Sequence, residues 1–311
     1  MIVVFGSVAL DLVTNIARIP KPGESLQAPD YKLVPGSKGG NQAVAAARSG
    51  AHVIHVATVG NDVHADLATA TLRSEGVDLT HLARSDKATA LCLVTVAHDG
   101  ENTVVVAAGA NLDTTIGQLE KVAFGAGDTL VLQMEVPLAD NFAAVSLARA
   151  RGARTILNAA PAAPVPAATL ADLDVLIVNE HEACIVAAAL GLPAETPEDA
   201  GLAIHRAYGC STLVTLGAKG VLAFHKMQAF AVAAPKVAVV DTTSAGDSFA
   251  GAFAAAVDAD ESFETALRRG VAAGSLACTS AGAQPSIPYL DAVKATAAGL
   301  SLTVAECPSH T

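Results

Sequence analysis

The chain has 311 residues, enough for one large α/β domain or for two domains, and no low-complexity segment divides it. Hydrophobic residues make up 52% of the sequence but aromatic residues only 4%, so alanine-rich helices and aliphatic strands must form the interior. The formal net charge of -11 opposes binding to nucleic acid or to an anionic membrane, and neither is an expected partner. A small anionic ligand stays compatible with this charge, because a few lysines and backbone amides can bind it locally.

The cysteines and the hydropathy pattern bear on the compartment. Five cysteines are odd in number, widely spaced and without a CxxC pair, which favours neither a disulfide framework nor a zinc site. No uninterrupted apolar run reaches the roughly 18 residues that a membrane-spanning helix needs. The apolar residues 2–5 follow no basic segment of the kind that opens a signal peptide. We therefore expect a cytoplasmic protein.

Short apolar runs alternate with helix-like stretches along the chain. The clearest pairs are 53–59 with 62–75, 129–133 with 138–151, and 175–178 with 180–190. Strands that alternate with helices predict an α/β fold in which a mostly parallel sheet is covered by helices on both faces.

Two β-rich stretches interrupt this alternation. In the second of them, Asp99-Gly100 is a hairpin turn signal between two β-favouring runs. We expect both stretches to form a small β-sheet lid inserted into one domain that spans the whole chain, with bounds of approximately 12–34 and 88–108. From the pattern alone, two separate surface excursions are an equal alternative.

The segment 241–251 (Asp-Thr-Thr-Ser-Ala-Gly-Asp-Ser-Phe-Ala-Gly) follows the apolar run 237–240 and precedes a helix-compatible stretch. A strand, a tight turn and a helix start would place free N–H groups and a positive dipole end where a phosphate can bind. Asp247 could take a proton from a hydroxyl there, while the amides of Ala245 and Gly246 take up charge. An ordinary capped helix N-terminus is the structural alternative.

The segment 35–42 (Pro-Gly-Ser-Lys-Gly-Gly-Asn-Gln) opens a predicted helix at 43–48. Its glycines allow the backbone to come close to a ligand, and Asn41 can both donate and accept hydrogen bonds, as sugar hydroxyls require. Neither GxxxxGK[ST] nor GxGxxG occurs here, so the segment is neither a P-loop nor a dinucleotide fingerprint. A flexible turn before a helix, with Asn41 as cap, would give the same pattern.

Two further segments follow predicted strands. The segment 179–182 (Asn-Glu-His-Glu) offers two carboxylates and an amide, which suit a hydrated Mg²⁺, although acids are also common in a first helical turn. The segment 215–220 (Thr-Leu-Gly-Ala-Lys-Gly) could lie along the phosphates of a nucleotide with Lys219 as a point charge, or be a plain hairpin turn. Asp11 and Glu135 are acids at strand ends that would face the same crevice.

In their order along the chain, these segments resemble the ribokinase branch of the phosphofructokinase-B (pfkB) family of carbohydrate kinases. The matching stretches are 6–7 with 11, 22–24, 36–47, 109–111, 158–161, 179–182, 215–220, 241–251 and 282–286. The resemblance implies a ribokinase-like fold with a small β-sheet lid, and a homodimer formed through that lid. It further implies ATP-dependent transfer of the γ-phosphate to a primary hydroxyl of a sugar, ribose or a related pentose.

The resemblance also implies roles for individual residues. Asp247 would be the catalytic base, with Ala245 and Gly246 as the anion hole. The sugar would contact Asp11, Ser37, Lys38, Asn41, Glu135 and Asp247. The nucleotide would contact Asn179, Thr215, Gly217, Lys219, Gly220 and Gly246. Glu182 would organise Mg²⁺, and an activating K⁺ would be held by Asp241, Thr243, Ala277, Ser280, Gly282 and Ser286.

Two residues depart from the ribokinase pattern, and both lie in the implied sugar pocket. Ribokinases commonly carry asparagine where this chain has Ala9, and loss of one such polar contact costs roughly 1 to 3 kcal/mol of discrimination. Ser37 stands where glycine is usual, which adds a side chain beside the sugar and stiffens a hinge. Deoxyribose, another pentose or hexose, or a nucleoside could therefore be the substrate.

Three other classes of protein compete with a sugar kinase. A nucleoside kinase of the same fold would need an aliphatic or Phe wall for the base, because the chain has three Tyr and no Trp. A non-catalytic sugar-binding protein would need no base such as Asp247. A Rossmann-type dehydrogenase is disfavoured by the missing dinucleotide fingerprint.

Overall fold

A computed structural model describes residues 1–98 and 101–307, and within these ranges the chain forms fourteen strands and eleven α-helices. The strands are β1 (Ile2–Phe5), β2 (Ala9–Ile16), β3 (Tyr31–Gly36), β4 (Val53–Gly60), β5 (Leu82–Ser85), β6 (Ala90–Ala97), β7 (Asn102–Ala107), β8 (Thr129–Leu132), β9 (Arg154–Asn158), β10 (Val175–Asn179), β11 (Ser211–Thr215), β12 (Val221–His225), β13 (Gln228–Val232) and β14 (Leu302–Glu306). The helices are α1 (Lys38–Arg48), α2 (Val63–Ala68), α3 (Ala70–Ser74), α4 (Ile116–Leu119), α5 (Leu138–Arg151), α6 (Ala167–Asp172), α7 (Glu180–Ala189), α8 (Pro197–Tyr208), α9 (Ala245–Asp258), α10 (Phe263–Ala277) and α11 (Leu290–Ala298). No helix in these ranges is both long and apolar enough to cross a bilayer.

A ten-stranded sheet forms the centre, in the order β14-β13-β12-β11-β10-β9-β8-β1-β4-β5. The strands from β11 to β5 are parallel, and β12, β13 and β14 add an antiparallel edge. Alternate residues of β1 point to opposite faces, so that Val4 packs in a core with α1, α9 and α10, and Phe5 packs in a core with α5, α7 and α8. The predicted α/β sheet with helices on both faces is confirmed.

A separate four-stranded sheet has the order β3-β2-β6-β7. β2 pairs parallel with β6, and this register places Asp11 beside Cys92. The sheet takes strands from both β-rich stretches expected to form the lid, although it begins at Ala9 rather than at residue 12, and residues 17–30 between β2 and β3 form no regular element. The predicted Asp99-Gly100 turn lies outside the described residues.

Three local expectations need correction. The apolar run 237–240 is not a strand, because it lies outside both sheets, and Val239 is 64% exposed. The helix expected over 43–48 begins five residues earlier at Lys38, because the Ser37 hydroxyl accepts from the Gly40 amide and caps it. The stretch 62–75 forms two short helices that meet at Thr69 instead of one.

Helices α1 and α9 pack almost backbone to backbone. A Cβ atom on Gly251 of α9 would lie 2.5 Å from the Ala45 Cβ and 2.7 Å from the Gln42 carbonyl oxygen of α1. Only glycine fits such a close approach without displacing a helix. The contact places the first turn of α1 against the first turn of α9, where Asp247 lies.

His55 on β4 gives the fold a dependence on pH. Its ring is fully buried, and this burial lowers its pKa to about 4. Because the unfolded chain has the higher histidine pKa, it binds more protons between about pH 6.5 and pH 4, and stability falls as the pH falls through that window. We expect the His55 contribution to the free energy of urea unfolding to drop by about 2 kcal/mol from pH 7 to pH 5. A His55→Leu variant with the same pH dependence as the unmodified chain would contradict this.

Candidate active site

Asp247 is the third residue of α9, and its side chain is 6% exposed. Asn41 Nδ2 donates to Asp247 Oδ2 at 2.9 Å, and Gln42 Nε2 donates to Asp247 Oδ1 at 3.0 Å. The buried Asn41 Oδ1 has no hydrogen-bond partner among the described residues. The residue predicted as base is therefore in contact with the amide predicted to bind sugar, and this amide keeps an acceptor for a hydroxyl.

The start of α9 borders open space. Ser244 precedes it in the left-handed conformation, and its hydroxyl is fixed by the Ala283 carbonyl at 3.1 Å. Apart from its chain neighbours and its own helix backbone, no atom of the described residues lies within 4 Å of the position that a Cβ on Gly246 would take. Ala245 and Gly246 both line a cavity of about 570 Å³. Their amides belong to the first turn of a 14-residue helix, where a phosphate is favoured.

The predicted sugar residues surround the other side of Asp247. Ser7 Oγ donates to Glu135 Oε2 at 2.6 Å, and the Lys38 backbone amide donates to the same oxygen at 2.9 Å. The Asp11 carboxylate packs against the Cα of Gly36, where a side chain would clash with it. The structure thus brings Asp11, Ser37, Lys38, Asn41 and Glu135 together beside the catalytic candidate.

The close approach of these charged groups shifts the pKa values of Asp11 and Lys38. Burial raises the pKa of Asp11 to about 6; a hydrogen bond with Cys92 opposes the rise, and the carboxylates of Glu135 and Asp247 add to it. Burial lowers the pKa of Lys38, but Asp247, Glu135 and Glu182 outweigh burial and raise it overall. Lys38 is therefore a half-buried cation among carboxylates.

Ser37 has the backbone angles φ 76° and ψ 150°, a region that is essentially restricted to glycine. Two hydrogen bonds of its hydroxyl offset the strain: it donates to the Ser7 carbonyl at 3.0 Å and accepts from the Gly40 amide at 3.2 Å. The serine that replaces the usual glycine therefore joins β3 to α1 at a fixed angle.

The 570 Å³ cavity lies between the turn after β11 and the start of α9. Its wall is mostly apolar and includes Thr215, Gly217, Gly220, Val237, Val239 and Phe249. The left-handed Gly217 and Gly220 form the turn, and a side chain on Gly220 would clash with the Val232 carbonyl. Lys219 is exposed and is not part of this wall. An apolar slot that ends at a helix start suits a nucleotide base with its phosphates at Gly246.

Asn179 and Glu182 form a capping box at the start of α7. The Glu182 amide donates to Asn179 Oδ1 at 2.8 Å, and the Asn179 amide donates to Glu182 Oε2 at 2.8 Å. Burial raises the pKa of Glu182, and hydrogen bonding to Asn179 and the charge of Lys38 oppose this. The capping alternative is therefore observed, yet the box uses one carboxylate oxygen only. A hydrated Mg²⁺, which needs few protein ligands, fits the remaining one.

Two loops bring the predicted potassium ligands together. Asp241 Oδ1 accepts from the Thr243 amide at 2.9 Å, and Asp241 Oδ2 accepts from the Gly282 amide at 2.8 Å. Burial raises the pKa of Asp241, but these bonds lower it overall. Ser286 Oγ lies 3.2 Å from Ser244 Oγ. Ala277 is the last residue of α10, and Ser280 follows three residues later, where its amide donates to the Ala277 carbonyl. A donor set of carboxylate, hydroxyl and carbonyl oxygens fits a hard monovalent cation. In the described part of the chain, no three His, Cys, Asp or Glu side chains form a metal-binding cluster.

A larger cavity of about 1090 Å³ lies at the amino ends of β9, β10 and β11. None of the predicted site residues lines it. Two of its charged groups are paired, since Arg154 contacts Asp260 at 2.6 Å and Glu261 binds Arg269. The predicted nucleotide residues Thr215, Gly217, Gly220 and Gly246 line the smaller cavity, at the opposite edge of the sheet.

Sequence reasoning missed the buried amides beside Asp247, namely those of Gln42, Gln133 and Asn158. Gln42 directly follows Asn41, and Gln133 and Asn158 come at the ends of buried strands. A polar side chain at the carboxyl end of an otherwise apolar run was the available signal.

Comparisons with known proteins agree with this geometry. The family model for pfkB family carbohydrate kinases matches residues 1–290 of this chain. A ribokinase of Haemophilus influenzae is 35% identical over 288 residues, which are 92% of this chain and 94% of the relative. A deoxyribokinase of Salmonella typhi is 31% identical over 297 residues, which are 93% and 96% of the two chains. The structure of Arabidopsis thaliana ribokinase complexed with ribose and ATP has a TM-score of 0.84 at 30% identity, and covers 95% of this chain and 98% of that one.

A parallel α/β sheet, a small second sheet and a carboxylate at a helix start define a protein of the sugar kinase class. The chain belongs to the pfkB family of carbohydrate kinases. The predicted family, the ribokinase-like fold and the class of ATP-dependent carbohydrate kinase are therefore confirmed.

Proposed function

We propose that this protein transfers the γ-phosphate of ATP to a primary hydroxyl of ribose or of a closely related pentose. One observation carries the proposal: Asn41 and Gln42 hold the Asp247 carboxylate beside the predicted sugar residues, directly after Gly246, which lines an apolar cavity at a helix start. A sugar hydroxyl that contacts Asp247 would then face a γ-phosphate bound at the start of α9, as in-line transfer requires.

Each group has a step that its position supports. Asp11, Asn41 and Glu135 hold the sugar hydroxyls, since carboxylate and amide oxygens accept from them. Asp247 takes the proton of the hydroxyl that attacks phosphorus. The amides of Ala245 and Gly246 stabilise the charge on the transferring group from the start of α9.

Ions would assist these residues from two sides. Asn179 and Glu182 would hold a hydrated Mg²⁺, which neutralises phosphate charge when bound. A K⁺ would bind between the loops that carry Asp241 and Gly282, which hydrogen-bond at 2.8 Å. Its chemistry there is structural, because it would hold the loop before α9 in the shape that binds phosphate.

The substrate is tested with ribose, 2-deoxyribose, other pentoses, hexoses and nucleosides as acceptors, with ATP and Mg²⁺, and with and without K⁺. We expect a pentose to give the highest kcat/KM. A nucleoside as best acceptor would replace the proposal by a nucleoside kinase. Sugar binding without turnover for every compound would replace it by a non-catalytic sugar-binding protein.

One observation favours 2-deoxyribose as a second candidate. Ala9 is buried in a small apolar cluster with Ala90 and Cys92, on the strand face that carries Asp11. Such a wall offers no partner to a hydroxyl, and a relative of similar length is a deoxyribokinase.

Ala9→Asn tests how this wall selects the sugar. We expect it to raise kcat/KM for ribose relative to 2-deoxyribose by about 10-fold, because one added polar contact contributes roughly 1 to 3 kcal/mol to discrimination. Ala9→Val, which adds bulk without polarity, is the matched control. An unchanged ratio in Ala9→Asn would remove the wall from the specificity argument.

We also propose a homodimer through the four-stranded sheet. The edge strand β7 exposes three consecutive valines, of which Val105 is 61% exposed. Exposed apolar groups in a row are typical of a surface that another chain covers. We expect sedimentation to give a dimer for the unmodified chain, a monomer for Val105→Asp, and a dimer for the control Thr303→Asp, an exposed residue on the edge strand β14 of the large sheet. A monomer for the unmodified chain would contradict this.

A further inference from the structure

A chain of buried amides ends on the Asp247 carboxylate. Gln133 Nε2 donates to Gln42 Oε1 at 2.9 Å. Gln42 Nε2 then donates to Asp247 Oδ1 and to Asn158 Oδ1, both at 3.0 Å. Each of these residues is less than 9% exposed. Side chains from α1, α9, β9 and the end of β8 therefore meet at the Gln42 amide.

The hydrogen bonds between these buried amides run in one direction. An ionised carboxylate only accepts hydrogen bonds, so Gln42 must turn its NH₂ group toward Asp247 and its oxygen toward Gln133. Gln133 must then turn its own NH₂ group toward Gln42. The Gln133 side-chain oxygen packs against the Cα of Gly6, and the Gln133 backbone carbonyl accepts a hydrogen bond from Asn141 Nδ2 at 2.8 Å.

We infer that Gln42 and Gln133 are positioning residues that orient Asp247 toward the accepting hydroxyl, with Gln133 acting through Gln42. The inference rests on the proposed function, in which Asp247 is the base. Asn41 already holds Oδ2 at 2.9 Å, so Gln42 is the group that fixes the rotation of the carboxylate about its own axis. A base that is free to rotate would lose the alignment on which proton transfer depends.

Methionine variants test this, because methionine keeps the length of glutamine and removes its hydrogen bonds. We expect Gln42→Met to lower kcat about 100-fold and Gln133→Met about 10-fold, with KM for the sugar changed less than about 3-fold. We also expect the acidic limb of the pH profile of kcat to move to higher pH in both variants. Gln42→Met removes a hydrogen-bond donor from the ionised Asp247 carboxylate, and Gln133→Met leaves that donor less well aligned. Gln118→Met is the control, because Gln118 is also partly buried but is not one of these amides. It should leave kcat and the acidic limb unchanged.

A second measurement does not depend on turnover. The fall in urea midpoint caused by Gln42→Met should be smaller in an Asp247→Asn background than in the unmodified chain, because the charged acceptor is already gone. Equal falls in both backgrounds would overturn the inference, as would folded methionine variants with an unmoved acidic limb and kcat within 2-fold of the unmodified chain. If no compound is phosphorylated, the proposed function fails. The comparison of urea midpoints in the single and double variants then decides alone whether the buried amides hold Asp247.

Discussion

Asp247→Asn should lower kcat by about 10²- to 10⁴-fold, because it removes a general base and keeps the shape of the side chain. The amide would still fill the space between Asn41 and Gln42, so we expect the sugar KM to change little. The measurement is steady-state ATP-dependent phosphorylation of the best acceptor, together with urea unfolding to establish that the variant is folded.

Asp291→Asn is the matched control, because Asp291 is also an acid in the first turn of a helix, α11, but is exposed and far from the cavity wall. It should keep the activity of the unmodified chain. Near-normal turnover in folded Asp247→Asn would remove Asp247 as the base. Equal losses in both variants would show that an acid in a first helical turn affects only the fold.

Glu182→Ala should raise the Mg²⁺ concentration for half-maximal activity by about 10- to 100-fold, the range found when groups that support a metal are removed. The reason is local: one Glu182 oxygen holds the Asn179 amide, and the buried carboxylate lies near the charges of Lys38 and Asp247. A Mg²⁺ titration at saturating ATP and sugar measures the effect.

Glu180→Ala separates metal binding from the loss of an acid at the start of α7. Glu180 lies two residues earlier in the same first turn and is exposed. It should leave the Mg²⁺ dependence unchanged. If both variants respond alike, the acids act on the helix and not on the metal, and the capping box explains the whole segment.

Much of the fold was predictable, because alternating strands and helices leave a strong pattern. Helix α5 has the predicted bounds of 138–151. β10 and α7 begin at the predicted residues, and each differs from prediction by one residue at its C-terminal end. The prediction of a strand at 237–240 was wrong for a physical reason. Four consecutive apolar residues predict a buried strand, but here they border a cavity, and apolar walls of clefts have the same composition as strands.

The site was predicted through single motifs, and the contacts between motifs were not. Asn41 and Asp247 are separated by 206 positions, and no local pattern shows that their side chains touch. The role of Ser37 also needed coordinates, because a serine with φ 76° is recognised as a strained helix cap only from its backbone. Gln42 ends the predicted segment 35–42 and received no role from the sequence, although its amide joins three parts of the chain.

The close approach of α1 and α9 at Gly251 separates two kinds of change that this protein can undergo. The residues of β2 and β6 that we propose to face the sugar belong to a sheet of their own, so we expect substitutions there to alter acceptor preference while the packing of α1 on α9 stays intact. Asp247 lies one turn before Gly251, and its alignment is set by how closely two backbones can pack. Acceptor preference can thus change through single substitutions in the small sheet. A single methyl group added at Gly251 would instead change the alignment of Asp247 without contacting any ligand.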